Sequence, residues 1–290
     1  MILIADGGST KTDWRLISQQ HEIKAIQTIG FNPYLSTTAE IQDILWKELD
    51  PFIGDRNVQQ IFYYGAGCST VTKNEIVSEA IRILFPQAEI YIYHDLLGAA
   101  RALCGENEGI ACILGTGSNS CLYDGSRITA GVSSLGYFFG DEGSGAALGK
   151  MLLYAYLHDE LPSDLTTAFK LRYPLSLENI LDAVYSNPKP SRFLASFSEF
   201  IYEFQEHPFV KNIISENFTA FFRYFVMRYP HYTELPVNCA GSIAFYYKSL
   251  LHEVARNFGI TIARIIQTPI EGLVDYHAKI AGLTVRYPES

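Results

Sequence analysis

The chain opens on a short apolar run, Ile2, Leu3, Ile4 and Ala5, which stops at Asp6-Gly7-Gly8. This pattern predicts a first strand over 2–5, and residues 13–17 and 22–29 read as two more. The connectors, 7–12 and 19–21, are too short for a parallel crossover, so antiparallel hairpins are expected. Residues 37–53 show helical spacing, with Ile41, Ile44, Leu45, Leu49 and Phe52 on one side. A strand over 60–64, a helix over 73–84, a strand over 89–93 and a helix over 96–103 complete the first third.

The pattern then starts again. A buried strand over 109–114, a tight turn at Gly115-Thr116-Gly117, a strand over 118–123, a turn at Asp124-Gly125 and a short strand over 127–130 repeat the hairpin order. The repeat is one of architecture, with no short-period repetition of sequence. After Gly143 the chain is mostly helical to about Arg228, with a loop marked by Pro188 and Pro190. Alternation returns at the end: strand 235–239, helix 243–257, strand 261–265, helix 272–281. The two halves divide between residues 103 and 109, with no flexible linker.

At roughly 150 residues per domain, 290 residues suggest about two domains. The balance is acidic, 22 basic against 31 acidic residues, without Lys/Arg clusters. That argues against nucleic acid, whose phosphates need basic density. The longest apolar runs fall far short of the about 20 residues of a membrane span. No basic leader precedes the first strand, so no signal peptide is expected. Five cysteines without Cys-x-x-Cys spacing argue against disulfide, zinc and iron–sulfur frameworks. Reduced thiols in a cytoplasmic protein are the expectation.

Three glycine turns are suited to phosphate. Asp6-Gly7-Gly8-Ser9-Thr10-Lys11-Thr12-Asp13 offers close backbone approach, amides and hydroxyls, with Asp6 as a hard oxygen ligand for Mg²⁺. It lacks the glycine spacing of a Walker A loop. Gly115-Thr116-Gly117-Ser118-Asn119-Ser120 leads into a strand, whereas a dinucleotide fingerprint opens a helix. Ala240-Gly241-Ser242 joins a strand to a helix that Ser242 is suited to cap. Each also fits an ordinary turn or helix start.

Candidate chemistry gathers at strand ends. Asp95 ends an apolar strand and precedes a helix, which suits either a general base or a helix cap. Asp141 and Glu142, in Phe139-Gly140-Asp141-Glu142-Gly143-Ser144-Gly145, suit sugar hydroxyls or a helix start. Asn32, in Gly30-Phe31-Asn32-Pro33, can both donate and accept, and it also suits a turn. Gly65-Ala66-Gly67-Cys68-Ser69 offers amides near the same edge. Cys68 has no local base and is not read as a nucleophile. His94 is read as a packing or strand-end residue.

In this order the motifs resemble the BadF/BadG/BcrA/BcrD-type ATPase family, and within it the N-acetylglucosamine kinases. The resemblance spans nearly the whole chain, and Leu-Gly-Thr-Gly-Ser-Asn and Gly-Asp-Glu-Gly-Ser are its most specific parts. It implies an α/β fold of two actin-like ATPase (ribonuclease H-like) domains, 1–106 and 107–290, with a nucleotide cleft between them and the last helix packing back on the first domain. It implies ATP and Mg²⁺, and a reaction that phosphorylates an amino-sugar hydroxyl. Gly8, Ser9, Thr10 and Lys11 then lie in the phosphate-1 turn, with Asp6 near Mg²⁺. Thr116, Gly117 and Ser118 form the phosphate-2 turn, and Gly241 and Ser242 match the adenosine motif. Asp95 matches the catalytic base, and Asn32, Gly67, Cys68, Asp95 and Asp141 match sugar-contacting positions. N-acetylmuramic acid or glucosamine are rival substrates, and an ATPase module without sugar substrate is a rival of another class. The cluster-binding cysteines of the dehydratase-activating branch are absent. The oligomeric state is open, a homodimer included.

Overall fold

A computed structural model describes residues 1–8, 10–54 and 57–287. The chain divides into two compact units: Met1–Glu106 with Gly125–Arg127 and Thr268–Ser290, and Asn107–Asp124 with Ile128–Gln267.

The first unit holds β1 (Ile2–Gly7), β2 (Lys11–Ile17), β3 (Ile23–Ile29), β4 (Gln60–Gly65) and β5 (Glu89–His94) in the order β3-β2-β1-β4-β5. The three hairpin strands pair antiparallel, and β4 and β5 extend the sheet in parallel. Because β3 runs with β1, the ends of β1, β3, β4 and β5 all fall on one sheet edge. That edge carries Asp6, Asn32, Gly67 and Asp95. A core around Trp14, Phe31, Tyr63, Ile61, Leu45 and Val77 supports it. Each such fully buried side chain contributes roughly 1.5–3 kcal/mol.

The second unit repeats the plan with β6 (Glu108–Leu114), β7 (Ser118–Asp124), β8 (Ile128–Gly131), β9 (Val237–Ala240) and β10 (Ile262–Ile266), in the order β10-β9-β6-β7-β8. Between β8 and β9 the chain is helical, and its phenylalanines at 169, 197, 200, 218, 221 and 222 build a separate aromatic core.

Several local expectations are corrected. The helix expected over 37–53 is interrupted: Thr38–Ile44 passes into a π-helical turn, Leu45–Leu49, and then Asp50–Ile53. Pro51 has no N–H and crowds the carbonyl four residues back, and the amide of Asp50 reaches Leu45 instead. The helix expected over 243–257 is two, Ser242–Tyr246 and Lys248–Arg256. Tyr247 breaks it, and its buried hydroxyl donates to the Ser198 carbonyl at 2.6 Å. Ser242 does not cap that helix: Gly241 is the capping residue, and no side-chain cap bond forms. Apart from these corrections, the final helix, Ile270–Ile280, groups with the first unit, where a methyl on Gly272 would lie 2.5 Å from the Ala102 carbonyl.

Candidate active site

In the first unit Asp6 and Asp13 are register partners on β1 and β2, so their side chains share a face. Asp13 is buried, with Lys11 Nζ at 2.8 Å and Gln27 Nε2 donating at 2.7 Å. The charge of Lys11 is therefore partly neutralised within the turn itself. Asp6 is half-buried. Desolvation pushes its carboxyl up to about 7, helped by the negative charges of Asp95 and Asp13 and opposed by Lys11.

The turn around Gly8 is closed by two backbone bonds, Gly8 N–H to Lys11 and Gly30 N–H to Thr10. A methyl on Gly30 would run into the Gly8 carbonyl and the Lys11 amide, so the end of β3 seals the turn. Gly8, Thr10 and Lys11 thus share one tight loop, and Ser9 lies outside the described residues.

Asp95 is the first residue of the helix Asp95–Cys104, directly after β5. His94 is the last residue of β5, a strand-end residue as expected, and it also caps that helix, a role the sequence reading did not give it. His94 Nδ1 lies 3.1 Å from the Leu96 amide and 2.8 Å from Asp95 Oδ1. Asp95 Oδ1 also accepts from the Leu96 amide at 2.8 Å. Neutral His94 can accept from Leu96, and protonated His94 donates to Asp95. The bond to Asp95 raises the imidazole pKa, with burial pulling it back. The Asp95 side chain is 30% exposed, which leaves the carboxylate reachable from solvent.

Asn32 and Gly67 meet. Asn32 Oδ1 accepts from the Tyr34 amide at 2.9 Å, which sets the turn after β3. Gly67 has φ 81°, and a methyl there would lie 2.9 Å from Asn32 Cγ. Tyr34 Oη and Ser69 Oγ, 3.2 Å apart, join the same two loops. The buried Cys68 thiol is pushed up to about 12 by burial and then by the charge of Asp95. A thiol held protonated in this way is no nucleophile. Asp6, Asp95 and Cys68 are close enough that the Asp95 charge is felt at both others.

In the second unit the turn at Gly115 is bonded to the loop after Gly140 at four points. Gly145 N–H donates to the Gly115 carbonyl at 2.8 Å and Ala146 N–H to Thr116 at 3.1 Å. Ser118 Oγ donates to the Glu142 carbonyl at 2.7 Å, and Ser118 N–H to Asp141 Oδ1 at 3.3 Å. Asp141 is buried and left-handed, φ 62°. A methyl on Gly117 would lie 3.1 Å from its Oδ2. Burial raises the Asp141 pKa, and the Ser118 bond opposes the rise. Ser144 caps the helix Gly145–Leu157, so neither Asp141 nor Glu142 is its cap. Gly241, φ 120°, packs so close that a methyl would lie 2.6 Å from Leu114 C and 3.2 Å from Gly115 N. Gly241 therefore packs directly on the start of the turn at Gly115.

Two residues escaped the sequence reading. Asp13 is a buried acid on the strand face that also carries Lys11 and Arg15, and Asn217 is an amide at a core position of the helix Pro208–Tyr224. A polar residue breaking an apolar stripe was the available signal for Asn217; Asp13, flanked on its face by two basic residues, offered none. Among the described residues no group of three or more His, Cys, Asp or Glu side chains forms a metal-binding cluster. No helix among them is long and apolar enough to cross a membrane.

Two sheets of the same strand order, each opening with a glycine-turned hairpin, give the two-domain fold of the actin-like ATPases. The fold is shared with a provisionally assigned N-acetylglucosamine kinase of Porphyromonas gingivalis, at TM-score 0.91 and 43% identity over 96% of this chain and 99% of that one. A second provisionally assigned N-acetylglucosamine kinase, from Chromobacterium violaceum, matches at TM-score 0.66 and 18% identity over 95% and 98% of the two chains. A ROK-family glucokinase of Streptomyces griseus, solved with glucose and AMPPNP, matches at TM-score 0.54 and 12% identity over 94% and 98%. No protein-family profile matches the chain, and no curated protein matches it by sequence. The chain belongs to the actin-like sugar kinase family, enzymes that transfer a phosphoryl group to an alcohol.

Proposed function

We propose that this sugar kinase is of the BadF type and uses ATP and Mg²⁺ to convert N-acetylglucosamine to its 6-phosphate. The observation that carries the reading is the sheet edge of the first unit. There a half-exposed carboxylate, Asp95, stands with Asn32, Gly67 and Cys68, and its charge extends to Asp6.

In this reading Asp95 accepts the proton of the sugar 6-hydroxyl as O6 attacks the γ-phosphorus. The O6–P bond forms, the bond from γ-phosphorus to the bridging oxygen breaks, and ADP leaves with that oxygen. Asn32 supplies both a donor and an acceptor for hydroxyl or acetamido groups, and Asp141 accepts from hydroxyls. The amides and hydroxyls around Gly8–Lys11 and Thr116–Ser118 bind phosphate oxygens, and Gly241 and Ser242 border the nucleoside. Asp6 suits a cation: its charge is desolvated and repelled by two other acids, a cost that a divalent ion relieves. Mg²⁺, when bound, neutralises phosphate charge and favours departure of ADP.

The test is a coupled ADP-release assay against N-acetylglucosamine, glucosamine, N-acetylmuramic acid and plain hexoses. Release that depends on N-acetylglucosamine and exceeds that with the other sugars is expected. Hydrolysis indifferent to every sugar would instead identify an ATPase module.

A further inference from the structure

Asn217 is 2% exposed in the helix Pro208–Tyr224, among Phe218, Phe221 and Phe222. A buried amide in an aromatic core is costly unless both ends are bonded. Here both are. Asn217 Oδ1 accepts from the Gly143 amide at 2.8 Å, and its Nδ2 donates to the Ser144 carbonyl at 3.3 Å. The two residues it grips follow Asp141 and Glu142 directly.

Propensity accounts for only part of the shape of the segment it grips, since glycine adopts a left-handed conformation freely and Asp141 does not. Asp141 at φ 62° and Gly143 at φ 85° are both left-handed. For Asp141 this costs about 1–3 kcal/mol and persists only where the surroundings fix it. Phe221 packs against Gly143 so closely that a methyl there would lie 2.8 Å from its Cβ. The helix thus presents a polar clamp and an apolar stop side by side. From this loop, bonds run to Gly115, Thr116 and Ser118, and the Asp141 carboxylate rests on the Ser118 amide.

We propose that Asn217 is a positioning residue for the kinase reaction: it fixes the left-handed loop that aims Asp141 and supports the Thr116–Ser118 turn. This rests on the reading that Asp141 and that turn bind substrates. Asn217 is buried in the helical core and acts through the loop. Its role is to hold the geometry on which Asp141 and that turn depend.

Asn217→Leu keeps the volume and removes both bonds, Asn217→Asp keeps only the acceptor for Gly143, and Phe218→Leu perturbs the same core without touching the loop. All three are purified as full-length protein. Melting temperature, kcat and the two KM values are measured with the best sugar of the wild-type panel, and amide exchange is followed at Gly143 and Ser118. The expected result is a fall in kcat of tenfold or more and a raised sugar KM in Asn217→Leu. Gly143 and Ser118 lose protection in it, and Asn217→Asp loses less activity. Phe218→Leu melts at least as early yet keeps kcat within about twofold. An Asn217→Leu enzyme with unchanged kcat, KM and loop protection would overturn the inference. So would parallel losses in Phe218→Leu, or an Asn217→Leu that fails to fold beside an Asn217→Asp indistinguishable from wild type. A wild type inactive on every sugar would sink the proposed function together with this inference, whereas an active wild type beside an unaffected leucine variant sinks the inference alone.

Discussion

Replacing Asp6 by Asn should make the ligand-free protein more stable at alkaline pH while disabling it as a kinase. The Asp6 carboxyl is raised from 3.8 to about 7 by burial and by Asp95 and Asp13. A folded pKa above the unfolded one means that the folded state holds a proton the unfolded state has released. The stabilisation from that proton is complete below about pH 4 and is lost as pH rises through about 7. Three pH units at about 1.4 kcal/mol each set a ceiling of about 4 kcal/mol. Asp6 is half-buried, so water screens part of this, and about 2 kcal/mol is the working figure. For a chain of this size that corresponds to roughly 4–8 °C. Asn has nearly the same shape and no charge, so it escapes the effect. The assay is thermal unfolding of both proteins in EDTA from about pH 4 to about pH 8.5. Midpoints should agree near pH 4, separate as pH rises toward 7, and the variant should lead by several degrees above about pH 8. With Mg²⁺ and ATP added, the wild type should recover and the variant should not. A gap that does not change with pH, or a variant that melts earlier at pH 8.5, would refute the electrostatic account of Asp6.

Gly30→Ala should abolish turnover and lower the melting temperature, because the new methyl displaces the Gly8 carbonyl and Lys11 amide; activity and unfolding measurements check both. All five cysteines are buried, and burial pushes the Cys68 thiol up to about 12. Native protein at pH 8 should therefore resist a thiol reagent and release its thiols only in denaturant, as a colorimetric thiol count would show.

The hairpins and crossovers were legible because glycine turns and apolar runs act locally. Gly7-Gly8 and Gly115-Thr116-Gly117 set two short antiparallel connections, and the repeated order of elements revealed two units of one plan. What escaped was decided at a distance. The amphipathic pattern runs unbroken through Tyr247, yet its hydroxyl is drawn to the Ser198 carbonyl and the helix divides there. Ser242 has cap chemistry, but the close approach of Gly241 to Leu114 makes the glycine the cap. His94 is a local exception: it is not a favoured capping residue, and the Leu96 amide two residues on and the adjoining Asp95 carboxylate give it that task. For the site, motif order gave the candidate residues but not their partners. That Asp141 rests on the Ser118 amide and that Asn217 grips the loop both depend on contacts across many residues of chain, whereas the Lys11–Asp13 pair is local, two residues apart on one face of a strand.

The most direct measurement is the turnover of Asp95→Asn set beside its affinity for ATP. Removing a general base typically costs about 10²–10⁴-fold. The account requires sugar-dependent ADP release to fall by at least a hundredfold while ATP binds within a few-fold of wild type. Near-normal turnover in Asp95→Asn would show that the proton of the sugar hydroxyl goes elsewhere, and the proposed transfer at the edge of the first sheet would be wrong.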